Sequence, residues 1–179
     1  LEVMRGCMRG CRFCQAGHAY RPIREKSPQT LFRQAKALVE STGYDEISLT
    51  SLSTTDYSRL DELLELLEPY CRQKHISVAL PSQRADAFDE GLVQQLEKMR
   101  RTGLTFAVEA GTQRLRDVIN KNIREEDVFN ACRIAFSHGW NSVKLYFMMG
   151  LPTETDEDLD GIARISRTVV ELWRQYCPN

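Results

Sequence analysis

The chain has 179 residues, with 24 lysines and arginines against 25 aspartates and glutamates, six cysteines and 42% apolar residues. That length suits one well-buried domain, and a formal net charge of −1 gives no broad electrostatic pull toward nucleic acid or an acidic membrane surface. No apolar run reaches the ~20 residues needed to span a bilayer, and the N-terminus lacks the pattern of a signal peptide, so a cytoplasmic protein without membrane contact is expected.

Residues 1–4 are a short apolar run that reads as a first strand. Directly after it stand Cys7, Cys11 and Cys14, in the run Cys-Met-Arg-Gly-Cys-Arg-Phe-Cys. Thiolates this close are too tight for a set of disulfides and suit a soft metal centre, zinc or an iron–sulfur cluster. A [4Fe–4S] cube held by three cysteines keeps one iron open for chemistry. Zinc would instead close a site on the same three cysteines and His18. Cys71, Cys132 and Cys177 lie in helically patterned segments and read as buried, inert thiols, with Cys71 the one to test as a fourth cluster ligand.

Ser27 can cap a first long helix, with Pro28 in its first turn, Leu31, Ala35, Leu38 and Val39 as its stripe and Gly43 as its close. Residues 46–50 make a second strand. A second helix over 59–74 turns Leu60, Leu63, Leu64, Leu67 and Tyr70 to one face. A third strand over 75–80 precedes a helix opened by Asp89 or Glu90 and ending near Thr102 and Gly103. A fourth strand over 104–108 precedes a helix opened by Glu125 that carries Val128, Ala131, Cys132 and Ala135 to Gly139. The fifth strand covers 142–148, and after Pro152 a last helix begins with Thr155 as cap and Asp156, Glu157 and Asp158 in its first turn, where carboxylates meet the helix dipole favourably. Strands alternating with helices imply a parallel sheet with right-handed crossovers, either doubly wound or part of a barrel. In both, ligands gather at the C-terminal strand ends, where the cysteine loop sits.

Each later strand end carries polar groups. After the second come Ser51, Ser53, Thr54 and Asp56, equally a hydroxyl-rich turn. After the third, Ser82, Gln83 and Arg84 bring a hydroxyl, an amide and a guanidinium, and Arg84 has either a ligand carboxylate or Asp86 to pair with. The fourth ends at Glu109, a carboxylate leaving an apolar strand, which needs a partner if buried; an ion pair with a neighbouring Arg or Lys is the plain alternative. The fifth ends in Gly150-Leu151-Pro152, a glycine turn that permits close backbone approach.

Cys7-x3-Cys11-x2-Cys14 after a first strand, with Phe13 just before the third cysteine, resembles the radical S-adenosylmethionine superfamily. Glu109-Ala110-Gly111-Thr112-Gln113-Arg114, with Asn120-Lys121 further on, and the Gly-Leu-Pro turn at 150–152 are similar to motifs of its branch with methylthiotransferases and cobalamin-associated enzymes. The resemblance implies an α/β fold, a partial (βα)6 TIM-like barrel with about five βα units present and the C-terminal strand missing. It implies a [4Fe–4S] cluster on Cys7, Cys11 and Cys14 and S-adenosylmethionine held by Phe13, Ser51, Ser53, Thr54, Ser82, Arg84, Glu109, Lys121, Gly150 and Leu151. The segment from Ser51 departs from the family's Gly-Gly-Glu pattern, and Lys121 also suits a solvated helix end. His18 and Tyr20 lie where a substrate would be met, and Arg5, Arg9 and Arg12 place positive charge beside an anionic cluster.

The expected activity is reductive cleavage of S-adenosylmethionine to a 5′-deoxyadenosyl radical that acts on a substrate the residues do not name. The implied partner is a reducing protein such as flavodoxin or ferredoxin, and cobalamin is left open for the intact protein. The alternative is a non-enzymatic electron-transfer or scaffold protein whose cluster takes Cys71 or a partner's cysteine as fourth ligand. The start without methionine and the end soon after a long helix suggest a fragment of a radical core domain covering residues 1–179.

Overall fold

The computed structural model describes residues 1–81, 83–99 and 102–177. In chain order they form β1 (Met4–Arg5), α1 (Gln15–Ala19), β2 (Arg24–Glu25), α2 (Pro28–Thr42), β3 (Glu46–Ser48), α3 (Leu60–Lys74), β4 (Ser77–Ala79), α4 (Glu90–Glu97), β5 (Leu104–Glu109), α5 (Gln113–Val118), α6 (Glu125–Ser137), β6 (Val143–Phe147) and α7 (Asp156–Tyr176). Single 3-10 turns at Thr54–Asp56 and Ala85–Ala87 follow β3 and β4.

Strand order decides between the two parallel architectures. Val3 N–H donates to Thr50 O at 3.0 Å and Thr50 N–H to Leu1 O at 2.8 Å, which lays the first segment beside the end of β3. β3 pairs with β4 in parallel, Gln83 bridges to Phe106 in parallel, and β5 pairs with β6 in parallel. Each strand is thus added to the same side as the one before it, whereas a doubly wound sheet reverses its direction of growth. Among the described residues no ladder joins β1 to β6, so the wall is an open arc.

The helices cover one face of this arc. Ile47, Leu49, Val78, Leu80, Leu104, Phe106 and Val108 point toward them and join a single core with Leu31 and Ala35 of α2, Leu63, Leu64 and Leu67 of α3, Val128 and Ala135 of α6, and Ile165 and Val169 of α7. Each such leucine contributes roughly 1.5–3 kcal/mol by leaving water. Along β5 burial alternates residue by residue, so Thr105, Ala107 and Glu109 face the concave side away from the helices.

The helix punctuation lies in the local sequence. Ser27 Oγ accepts from Thr30 N–H, Asp89 from Leu92 N–H and Thr112 from Leu115 N–H, while Gly43 closes α2 in the left-handed region. Several boundaries differ from the sequence expectation. The third strand is shorter at its start because His75 is spent as the left-handed cap of α3, with Ile76 N–H bonded back to Cys71 O at 2.8 Å. The third long helix stops at Glu97, because Lys98 and Met99 tighten onto Gln95 and Leu96 and bury Met99. The antiparallel partner β2 and the short helices α1 and α5 were not expected, since none is long enough to show a period. No helix of the described residues is long and apolar enough to cross a membrane.

Candidate active site

The cysteine loop begins where β1 ends and is shaped by its glycines. Gly6 has φ +98°, and a Cβ there would stand 2.8 Å from Tyr20 O, so only glycine lets the loop lie against the chain that returns through residues 20–23. Cys14 is the N-cap of α1, its Sγ accepting from Gly17 N–H at 3.4 Å, and Cys7 Sγ accepts from Arg9 N–H at 3.5 Å. Burial pushes the Cys11 thiol up, while Lys121 and Arg84 pull in the opposite direction.

Contacts distant in sequence fix the loop. Asn120 Nδ2 donates to Gly10 O at 2.9 Å, Arg12 N–H to Ile119 O at 2.9 Å, and the Arg12 guanidinium to Val118 O. The Arg9 guanidinium forks onto Asp56, with Nε to Oδ2 at 2.8 Å, and reaches toward Asp86 at 3.7 Å. Burial pushes the Asp56 carboxyl up, but the hydrogen bonds from Arg9 outweigh this and hold it below its usual value. Asp86 is also gripped by Arg84 through bonds of 2.9 and 3.0 Å. An Asp56–Arg9–Asp86–Arg84 chain therefore ties the cysteine loop to the ends of β3 and β4.

A cavity of about 240 Å³ opens inside this frame, on the concave face. Cys7, Cys11 and Cys14 line it together with Phe13, Ser53, Arg84, Glu109 and Lys121 of the residues singled out from sequence. Lys121 Nζ stands 2.9 Å from Glu109 Oε1, with both side chains largely buried, so each is the other's partner. Glu109 has φ +72° at an irregularity in the β5–β6 ladder, which turns its side chain toward the cysteines. Arg84 spends its remaining capacity on Lys121 O and Asn122 O, at 3.2 and 3.3 Å, and so positions the segment that bears Lys121. Arg9, Gln83, Thr105, Ala107 and Tyr146 also form the walls. Arg9 and Gln83 stand where the sequence places a charge beside the cluster and an amide at the mouth, whereas it gives Thr105, Ala107 and Tyr146 no place, although the alternation of β5 gives Thr105 and Ala107 once Glu109 is known to face inward.

Other candidates lie elsewhere. Thr54 is fully buried, its hydroxyl donated to Leu49 O at 3.1 Å and 3.0 Å from Ser51 Oγ, so both serve the turn after β3. Ser51 lines a neighbouring hollow of about 470 Å³, with Leu52 shared between the two spaces. Gly150 and Leu151 give their amides to the Glu154 carboxylate at 2.9 and 3.5 Å, and Leu151 packs against Ala110, Leu115 and Ile119. Ser82 lies outside the described residues. Cys71 lies in the hydrophobic core, where burial pushes its thiol up to about 11, and it has no place in the cavity wall.

Behind the site the end of β5 is pressed onto α7. A Cβ on Gly111 would stand 2.1 Å from Asp158 O, and one on Gly161 would stand 2.3 Å from Gly111 O. Asp158 is bound there by Thr112, Arg114 and Thr155. Burial pushes its carboxyl up, but those hydrogen bonds prevail and hold it well below the carboxylate range.

The donor set fits an iron–sulfur cluster. Three thiols share one cavity, and Gln83 Oε1, buried without a hydrogen-bond partner, stands in its wall as a free acceptor for a bound group. Among the described residues no three His, Cys, Asp or Glu side chains converge as a single ion would require, and His18 is not part of the wall.

Comparison with known proteins agrees with this geometry. The family model described as the Radical SAM superfamily matches residues 1–165. An uncharacterised protein of Methanocaldococcus jannaschii is 38% identical over 94% of this chain and 36% of its own length. A tRNA-2-methylthio-N(6)-dimethylallyladenosine synthase of Hydrogenobaculum is 26% identical over 94% of this chain and 40% of its own length. The chain therefore spans well under half of these relatives. Among solved structures, the radical S-adenosylmethionine methyltransferase TsrM of Kitasatospora setae, with cobalamin and a [4Fe–4S] cluster, superposes with a TM-score of 0.77 at 14% identity over 93% of this chain and 34% of its own. The cobalamin-dependent S-adenosylmethionine radical enzyme OxsB, with aqua-cobalamin and S-adenosylmethionine bound, gives 0.72 at 15% identity over 99% and 29%. Family match and cysteine-lined cavity meet in one conclusion: this chain belongs to the radical SAM superfamily, whose cofactors are a [4Fe–4S] cluster and S-adenosylmethionine.

Proposed function

We propose that this chain is the core of an enzyme, a partial (βα)6 barrel of about five βα units, that reductively cleaves S-adenosylmethionine and directs the resulting radical at a substrate. The observation that supports this most is the single cavity shared by Cys7, Cys11, Cys14 and the Glu109–Lys121 pair. Cys7, Cys11 and Cys14 would hold the cluster, which would supply the one electron needed to split the sulfonium carbon–sulfur bond into methionine and a 5′-deoxyadenosyl radical. Glu109 and Lys121 offer opposite charges for the amino and carboxylate groups of the methionine part, and the pair exchanges its mutual contact for contacts with ligand. Arg84 holds the Lys121 segment in place, and Phe13 with Tyr146 gives apolar surface at the mouth. Gly150 and Leu151 would meet the adenine only after Glu154 releases their amides. The concave wall would help to keep water from a reactive radical.

The reductant is a small redox protein such as flavodoxin or ferredoxin, and a cytoplasmic location follows from that need. The cobalamin bound in the structures of TsrM and OxsB supports a cobalamin-binding segment in the intact protein. Methylthio transfer is the second chemistry, favoured by the relatives of that name, and it needs a further cluster and a macromolecule-binding module. A purely electron-transferring role with Cys71 as fourth ligand is disfavoured by the place of Cys71 in the core.

Electron paramagnetic resonance of the anaerobically reconstituted, reduced chain tests the reading. The expected result is a [4Fe–4S] signal that shifts when S-adenosylmethionine is added, with methionine and 5′-deoxyadenosine accumulating. A cluster signal indifferent to S-adenosylmethionine in folded protein would overturn it.

A further inference from the structure

We propose that Arg116 is a positioning residue for the Glu109–Lys121 pair, holding the backbone beside each member so that carboxylate and ammonium keep their places in the cavity. This rests on the assignment of that pair to the methionine part of S-adenosylmethionine. Arg116 lies on α5, outside the cavity wall, and is the largest of the fully buried side chains among the described residues. Its two ends reach the two residues. The guanidinium Nη1 donates to Ala110 O at 2.7 Å, directly after Glu109, and the backbone carbonyl accepts from Lys121 N–H at 2.9 Å.

Both contacts fall where the chain would otherwise be free to turn. Glu109 stands in the left-handed region at φ +72°, a conformation that persists only where the surroundings over-determine it. Of the two carbonyls that follow its Cα, Glu109 O accepts from Met148 N–H at 2.8 Å and Ala110 O is held by Arg116. Lys121 is flanked by Asn120 at φ +53° and Asn122 at φ +51°, and its N–H bonds back to Arg116 O in the manner of a left-handed helix cap. A shift of Arg116 therefore moves both members. The guanidinium is itself braced: its Nη2 stands 3.6 Å from Glu125 Oε2 and 3.3 Å from Gln113 Oε1. Arg164 of α7 donates to the same Glu125 carboxylate at 2.8 Å and reaches Gly111 O at 3.4 Å. Two arginines thus hold the carbonyls of Ala110 and Gly111 around one shared carboxylate. The Arg116 Nε has no hydrogen-bond partner, so this charge is kept in the interior at a cost. Apolar side chains often replace a buried ion pair without loss of stability, which leaves a fixed carbonyl position as what the guanidinium adds over a methionine.

The test titrates S-adenosylmethionine against the electron paramagnetic resonance signal of the reconstituted, reduced parent, Arg116→Met, Arg116→Lys, Arg164→Met and the core variant Leu67→Ala. Arg116→Met leaves no lone carboxylate, because Glu125 keeps Arg164. It should retain the parent's iron content and need about tenfold or more S-adenosylmethionine for half of the signal change. Arg116→Lys keeps a donor for Ala110 O and should recover most of that loss, while Arg164→Met should need about threefold more than the parent. Leu67 lies in the core away from the cavity wall, so Leu67→Ala should lose stability yet keep the parent's half-saturation. A parent-like half-saturation in Arg116→Met, or an equal weakening in Leu67→Ala, would overturn the proposal; were Arg116→Met not to fold, a parent-like value for Arg164→Met would do the same. Urea unfolding adds a readout that needs no cofactor. The midpoint lowering caused by Lys121→Met in the parent should shrink by about half or more in the Arg116→Met background, because the pair is already loosened there. Strict additivity would rule out positioning. A parent signal indifferent to S-adenosylmethionine, with the two substitutions still non-additive, speaks against the enzyme reading alone.

Discussion

Removing the ammonium of the Glu109–Lys121 pair should separate what that pair does for folding from what it does for the cofactor. In Lys121→Met the Glu109 carboxylate is left in a cavity where the two side chains are now only 14% and 8% exposed and the charged atoms lie 2.9 Å apart. At an effective dielectric near 20, that separation corresponds to an attraction of about 6 kcal/mol before desolvation. Desolvation offsets part of it, and breaking a buried pair costs about 3–5 kcal/mol. For a chain of this length that loss lowers Tm by on the order of 10 °C. Urea unfolding of parent, Lys121→Met, Glu109→Gln and the double variant measures it. The double variant should recover most of the loss, because no lone charge remains, yet its reduced cluster should no longer respond to S-adenosylmethionine. A Lys121→Met chain within 1 kcal/mol of the parent, a margin below the cost of any buried lone charge, would refute the reasoning.

Further outcomes follow from other contacts. Gly111→Ala should unfold at distinctly lower urea than the parent, by more than the ~1–3 kcal/mol usual for overpacking, since its Cβ would overlap the α7 backbone at Asp158 and Ile162; a parent-like midpoint would remove that contact. The Asp158 carboxyl is held below its unfolded value, so its stabilisation is full above pH ~4 and is lost as pH falls toward the lower folded value. Acid titrations should accordingly show a flatter acid limb for Asp158→Asn than for the parent. Cys71→Ala should keep full iron content with a modest loss of stability from a small core void, whereas Cys7→Ala, Cys11→Ala and Cys14→Ala should each lose the cluster; iron and sulfide analysis distinguishes them.

The long elements could be read from sequence because their signals are local. Ser27 and Gly43 bracket α2, and Thr155 with Asp158 forms the capping box that opens α7. Strand order could not be read so, because bridges such as Glu2 to Thr50 and Gln83 to Phe106 join residues far apart in the chain. The cysteines announced a site through spacing alone. Its frame did not: Arg9 meets Asp56 across 47 positions and Asn120 meets Gly10 across 110. The hydroxyls after β3 show the limit of reading residue type without geometry, since those of Ser51 and Thr54 turn inward to hold their own loop. Likewise the amides of the Gly-Leu-Pro turn meet a carboxylate of their own segment, Glu154, which composition could not have ranked above a ligand.

The left-handed backbone at Glu109 sets stability and cofactor response against each other at a single residue. A side chain other than glycine in that region costs on the order of 1–3 kcal/mol, a large share of a domain's net stability. A library that varies positions 109 and 121 together and is selected for heat resistance alone should drift toward glycine or asparagine at 109 with an uncharged residue at 121, relaxing the backbone and shedding the carboxylate without leaving a lone buried ammonium. Rankings by melting temperature and by cofactor response would then run in opposite order, which marks this position as one to hold fixed when the chain is engineered.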